Sequence, residues 1–268
     1  MEQNLSCFAD KLADNEIKPA EVYESIGKLQ IVNITLDRTM DDAQAIFESL
    51  NSTGKELSES DLIRNYVLMG LEPTEQTYVY EHMWRPMELM FSYETQDTLM
   101  DKFFRDYLTM KLTRIPKQGR VYDEFKLYHL NCEFSTIREL CQDLLTYAKY
   151  YTDIVFARSS NPVLKGLYSD INDLRMEVSY PFLIKVHNDY AEHIITEDEL
   201  LEILRLCISY VFRRSICGIP TNSLNKTFAT LRNEIRQDDY LNSIKAFFIL
   251  RDDYKEFPND EKFVAAFI

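Results

Sequence analysis

Apolar residues recur at three- and four-residue steps through most of this 268-residue chain, and that period commits it to helices. The clearest case is the stretch 135–156, where Ile137, Leu140, Cys141, Leu144, Ala148, Tyr151 and Val155 fall on one helix face. A second case opens at Thr196, an N-cap with Glu199 at N3 to close a capping box and Ile195 and Leu200 placed as a staple. Its stripe, Leu200, Leu204, Cys207, Ile208 and Val211, runs toward Gly218, and Pro220 forbids continuation. Less tidy stripes cover 74–91, 98–112, 120–130, 163–176, 180–193, 222–235 and 240–250. With six Gly and eight Pro, the chain has too few turn-formers for a β-sandwich or barrel. Hydrophobic residues at 46%, with 17 Tyr and 16 Phe, supply a core and exclude intrinsic disorder.

One segment departs from the helical period. In Leu29–Asp37, Val32, Ile34 and Leu36 alternate with Asn33, Thr35 and Asp37, which predicts a strand with one buried face. No second strand is evident, and a lone strand leaves its backbone donors and acceptors unpaired. It either pairs with another copy in a homodimer or belongs to a sheet whose other strands lie elsewhere, and the second reading is favoured. The expected fold is therefore mainly α. It is a helical bundle-like array with one isolated β-strand left from a truncated α/β N-terminal domain. A boundary near Gly70–Pro73 divides 1–70 from 71–268.

Charge narrows the partners. The formal net charge is −14, which repels a polyanion unless basic residues are gathered together. They are gathered between Leu201 and Arg236: Arg205, Arg213, Arg214, Lys226, Arg232 and Arg236 stand against Glu202 and Glu234. That island contacts nucleic-acid phosphates or another domain, or it forms internal salt bridges among acidic helices. No run of 18 apolar residues and no apolar leader occurs, and the five Cys include no C-x-x-C pair. These features predict a cytoplasmic protein that does not span a membrane.

The stretch 41–54 reads as a helix with acids in its first turn, ended by Asn51 and Gly54, which tolerate left-handed backbone. Leu57-Ser-Glu-Ser-Asp-Leu62 then restarts a helix, with Ser58 as cap and Asp61 at N3. A polar turn leading into a helix N-terminus can hold an anion, and a plain helix–turn–helix connection has the same pattern.

Phe47-Glu-Ser-Leu-Asn-Ser-Thr-Gly54, followed by Leu57-Ser-x-x-Asp-Leu-Ile-Arg-Asn-Tyr66, closely resembles a signature of GmrSD-type proteins, modification-dependent restriction endonucleases of bacterial phage defence. Two further segments resemble the same family. One is Arg213-Arg-Ser-Ile-Cys-Gly-Ile-Pro-Thr-Asn222 with Leu224-Asn-Lys-Thr-Phe228, similar to its R-R-x-x-C-G-x-x-T-x-x-L-N-K segment. The other is Phe257-Pro-Asn-Asp-Glu-Lys-Phe263, similar to its F-P-x-D-x-x-F segment. The resemblance implies a ParB/sulfiredoxin-like N-terminal domain with nucleotide chemistry, a helical middle and an HNH nuclease. Two family motifs are missing: no D-G-Q-Q-R occurs, and none of His82, His129, His187 and His193 begins an H-x-x-P.

The chain is thus expected to be an internal piece without catalytic residues, inactive alone, in which a helical region couples a nucleotide-hydrolysing sensor to an absent nuclease. The parent would use an NTP and Mg as cofactors, and this chain none. Asn51, Ser52, Thr53 and Gly54 would sit at the rim of the nucleotide site. Arg213, Arg214, Asn222 and Lys226 would face modified DNA or couple to the nuclease domain or a partner subunit. The alternative is a stand-alone helical interaction module without enzymatic role.

Other constellations invite structural readings. His129-x-x-Cys132 with Cys141 lacks a fourth metal ligand, so packed thiols are expected. His187-Asn-Asp189 reads as a helix surface, Glu197–Glu199 as an acidic first turn, and Phe103, Phe104 and Tyr107 as core. Adjacent arginines on a helix point about 100° apart, so one of Arg213 and Arg214 should be tied internally and the other face outward with Lys226.

Overall fold

A computed structural model gives the architecture, and it describes residues 2–14, 17–30, 46, 49, 57–91, 98–250 and 255–267. The fold is mainly α, with no strand among the described residues. Of the expected strand only Leu29 and Gln30 are described, so that expectation falls outside the described residues, as does most of the helix expected over 41–50.

The chain divides into two compact units, Met1–Ala43 and Gln44–Ile268. In the first, α1 (Glu2–Ala13) is followed by α2 (Pro19–Gly27). Pro19 occupies the first turn of α2, where its missing N–H costs nothing. Leu5, Phe8, Tyr23 and Ile26 on these helices are all exposed.

The second unit begins with α3 (Glu59–Leu68), α4 (Pro73–Val79) and α5 (Arg85–Phe91). The Ser58 hydroxyl accepts the Asp61 N–H at 3.1 Å, as the sequence predicts for α3. Between α4 and α5 a π-turn over Tyr80–Trp84 keeps the helix continuous. Its cause is Pro86, which cannot donate a backbone bond and would clash with the carbonyl four residues earlier in a regular helix. Next come α6 (Leu99–Leu112), α7 (Val121–Asn131), α8 (Ile137–Val155), α9 (Pro162–Asp173) and α10 (Tyr180–Ala191). The unit ends with α11 (Glu197–Ile216), α12 (Leu224–Leu231), α13 (Tyr240–Ile249) and α14 (Asp260–Phe267). The Thr196 capping box forms in both directions, with Thr196 N–H donating to Glu199 at 2.8 Å and Glu199 N–H donating to Thr196 Oγ1 at 3.3 Å.

Four helices stop through the same device. Arg158, Met176, Ile194 and Ile219 each donate their N–H to a carbonyl five residues back, at 2.8, 3.0, 2.9 and 2.9 Å. The residue before each donor is left-handed: Ala157, Arg175, His193 and Gly218. Glycine is the usual occupant of that position. Three of the four ends use another residue, at about 1 kcal/mol each, which is how a chain with six Gly still turns its helices sharply.

Helix α10 lies at the centre, packed against α6, α8, α11 and α12. On one side the expected core aromatics Phe103, Phe104 and Tyr107 are fully buried, with Trp84 stacked on Phe104 at 5.9 Å. On the other side Phe182, Tyr210, Phe228 and Phe248 close the core, with Tyr210 and Phe248 centroids 4.6 Å apart. Each buried aromatic of this size stabilises by about 1.5–3 kcal/mol through area alone.

Candidate functional site

Gly218 gives α11 its abrupt end (φ +64), which turns the chain through Pro220 into a short 3₁₀ turn, Thr221–Ser223, and then α12. The segment 255–267 returns along the last turns of α11. Tyr210 donates its hydroxyl to the Lys255 carbonyl at 3.0 Å and meets the Phe257 ring edge-on at 5.6 Å. Phe212 packs on Phe263 at 5.8 Å, and Cys217 Sγ approaches the Lys262 carbonyl at 3.8 Å.

The two arginines divide their work. Arg214 is 1% exposed. Its Nη1 donates to the Glu256 carbonyl at 3.1 Å, and its Nη2 donates to the Pro220 carbonyl at 2.9 Å and to Ser223 Oγ at 3.1 Å. One buried cation therefore fastens the end of α11, the start of α12 and the returning segment, an arrangement that suits the planar fork of a guanidinium. Arg213 is half-buried. Its Nη2 lies 2.6 Å from Asp260 Oδ1, its Nη1 donates to the Pro258 carbonyl at 3.2 Å, and its guanidinium lies 4.9 Å from the Phe263 ring centre. Arg214 thus takes the inward place expected of one arginine. Arg213, instead of standing free beside Lys226, closes on Asp260.

The structure brings the R-R-x-x-C-G segment and the F-P-x-D-x-x-F segment into one clamp. Asn222 in the 3₁₀ turn and Lys226 in the first turn of α12 are both exposed. Elsewhere the basic island is largely engaged: Arg236 pairs with Asp239 at 2.7 Å, and Arg232 donates to the Met110 carbonyl at 3.0 Å in the last turn of α6. Asn51, Ser52, Thr53 and Gly54 lie outside the described residues.

These residues also carry a family match. Residues 2–68 match the family described as GmrSD restriction endonuclease, N-terminal domain. Over that segment, about a quarter of the chain, the sequence is similar to the GmrSD N-terminal domain. No curated protein and no solved structure matches the chain. The GmrSD segment ends at α3, whose Ser60, Ile63 and Val67 are buried and whose Glu59 carboxylate accepts the Tyr122 N–H of α7 at 2.6 Å. The last helix of the matched segment is therefore built into the helical core.

The interior holds polar groups that a surface reading of His187-Asn-Asp189 does not anticipate. His187 is 6% and Asp189 2% exposed, so the expectation of a helix surface is corrected. The cause is the central position of α10, which is covered on every side and must partner each polar residue it carries. His187 Nε2 bonds the Tyr168 hydroxyl at 3.0 Å, and Asp189 accepts Tyr240 OH at 2.7 Å while pairing with Lys185. Burial drops the His187 pKa to about 4. A neighbouring network joins Lys111 to Asp143 at 2.8 Å, with Tyr107 OH donating to the same carboxylate at 2.7 Å.

His129, Cys132 and Cys141 are engaged within the fold. His129 Nδ1 bonds Tyr66 OH at 2.9 Å, and Cys132 Sγ donates to the His129 carbonyl at 3.2 Å. Cys141 is buried, with its thiol pKa pushed up to about 12 by desolvation. Among the described residues no group of three His, Cys, Asp or Glu is placed to hold a metal.

Proposed function

We propose that the chain works inside a modification-dependent restriction system of GmrSD type, as the helical region that links a nucleotide-hydrolysing domain to a nuclease. The observation that supports this most is the meeting of the 213–228 and 257–263 segments in one clamp, in a chain whose residues 2–68 match the GmrSD N-terminal domain. In this reading the chain cuts nothing itself, and NTP and Mg act in the parent assembly. Residues 51–54 border the nucleotide, and the protein works in the cytoplasm. The clamp holds α12 at a fixed angle so that exposed Asn222 and Lys226 meet DNA phosphates or the nuclease.

A joint Asn222→Ala and Lys226→Ala replacement tests this reading. Both side chains are exposed, so the melting temperature should stay within about 2 °C. In cells carrying the natural gene with its neighbours, restriction of phage with modified DNA should fall at least about tenfold, equivalent to about 1.4 kcal/mol of lost contact. Unchanged restriction at equal protein level would contradict the assignment of this face.

A further inference from the structure

Helix α7 starts without a cap of its own. Its N-cap residue is Arg120, whose side chain makes no capping bond; Ser, Thr, Asp or Asn would supply an acceptor there, and a guanidinium has none. The acceptor comes from α3 instead. Glu59 Oε1 accepts the Val121 N–H at 3.3 Å, and Glu59 Oε2 accepts the Tyr122 N–H at 2.6 Å. The start of α3 is in turn held from α6, where Asp101 Oδ1 accepts the Ser60 N–H at 2.7 Å. Two amides that every helix start must satisfy are thus satisfied in α7 only while α3 is in place.

The segment that leads into α7 is strained. Thr113, at the end of α6, is left-handed with φ +53, which is an outlier for a β-branched residue. Such a conformation persists only where the surroundings hold it. Here Pro116 is buried and its carbonyl accepts Arg105 Nε at 3.2 Å, which fixes the middle of the segment. The Glu59 cap fixes its far end. Arg114, Lys117 and Arg120 are all exposed along it. Arg114 pairs with Glu124 at 2.5 Å and Arg120 with Asp123 at 3.1 Å, and both carboxylates belong to the first turn of α7.

We propose that α3 and the 113–124 segment form a conformational switch, with Glu59 as its latch. When the start of α3 shifts away, Val121 and Tyr122 lose their acceptor, the strain at Thr113 is released and the first turn of α7 opens. Opening that turn loosens Glu124 from Arg114 and Asp123 from Arg120, so the segment presents its cations more freely. Helix α3 closes the 2–68 segment that matches the GmrSD N-terminal domain, so a displacement there reaches the helical unit through one carboxylate. The switch needs neither DNA nor nucleotide to operate, and it stands or falls independently of the restriction reading.

The test measures native-state amide exchange in the full chain, by NMR and by mass spectrometry, for the parent, Glu59→Gln, Glu59→Ala and Asp101→Ala. Glu59→Ala should speed exchange at residues 121–125 at least about tenfold, and Glu59→Gln by less, since an amide oxygen still accepts. Asp101→Ala is the decisive variant, because its bond is to α3. It should still speed exchange at 121–125 at least about fivefold, and it should add nothing there in a Glu59→Ala background. Residues 137–155 of α8 should stay within about twofold throughout, which separates a local switch from general loss of stability. Three results would overturn the proposal: unchanged protection of α7 in Glu59→Ala, faster exchange confined to α3 in Asp101→Ala, or equal acceleration in α8.

Discussion

Arg214→Ala is expected to destabilise the helical unit by about 3–5 kcal/mol, from the loss of a large buried side chain and the unpairing of the acceptors it serves. The residue is 1% exposed and satisfies the carbonyls of Glu256 and Pro220 together with Ser223 Oγ. Truncation leaves a void and unpairs these acceptors, at about 1–3 kcal/mol for each that water does not reach. For a unit of this size that corresponds to a fall of about 10 °C or more in melting temperature. Arg214→Lys should recover only part of it, because an ammonium reaches these separated acceptors with one point charge instead of a fork. Arg213→Ala makes the contrast. Its pair with Asp260, whose side chain is 85% exposed, contributes about 1 kcal/mol or less. Thermal or urea unfolding of the three variants checks the ranking, and an Arg214→Ala protein that melts within about 2 °C of the parent contradicts it.

The second large effect is acid sensitivity. His187 is buried with its pKa lowered to about 4, against about 6.5 in the unfolded chain. Between those values the unfolded state binds a proton that the folded state refuses, so stability falls as pH drops from 6.5 to 4, by about 3 kcal/mol in all. Asp106 acts in the opposite sense. Its carboxyl, raised to about 7, keeps a proton when folded that the unfolded chain loses above about 3.9, so its contribution falls as pH rises across that window. The two slopes offset each other in the parent protein. His187→Phe should therefore be relatively most stable at low pH, and Asp106→Asn should lose stability steeply below pH 6.5. Melting temperatures from pH 4.5 to 7.5 decide it: parallel curves for the parent and both variants would show that neither group titrates as described.

Much of the helix pattern was legible because it depends on local rules. The 135–156 stripe became α8, and Thr196 with Glu199 formed the capping box of α11. The separation of Arg213 from Arg214 was also legible, since helix geometry sends adjacent side chains apart. Their partners were not legible, because Asp260, Pro258 and Glu256 lie 42–47 positions away and reach the arginines only after the chain has turned at Gly218. His187 was misread for a related reason. Local polarity suggests a surface, but α10 is enclosed by α6, α8, α11 and α12, and only tertiary packing makes a histidine core. The left-handed ends at Ala157, Arg175 and His193 likewise lack the glycine that would mark them.

A charge swap across the clamp tests most directly whether it serves restriction as well as stability. Restriction of modified-DNA phage would be measured in cells carrying the natural gene and its neighbours, with Arg213→Asp, with Asp260→Arg and with both together. The account predicts at least about a tenfold loss in each single variant, equivalent to about 1.4 kcal/mol, and recovery in the double variant, where the pair re-forms with its signs exchanged. Single variants that restrict like the parent at equal soluble protein level would contradict it.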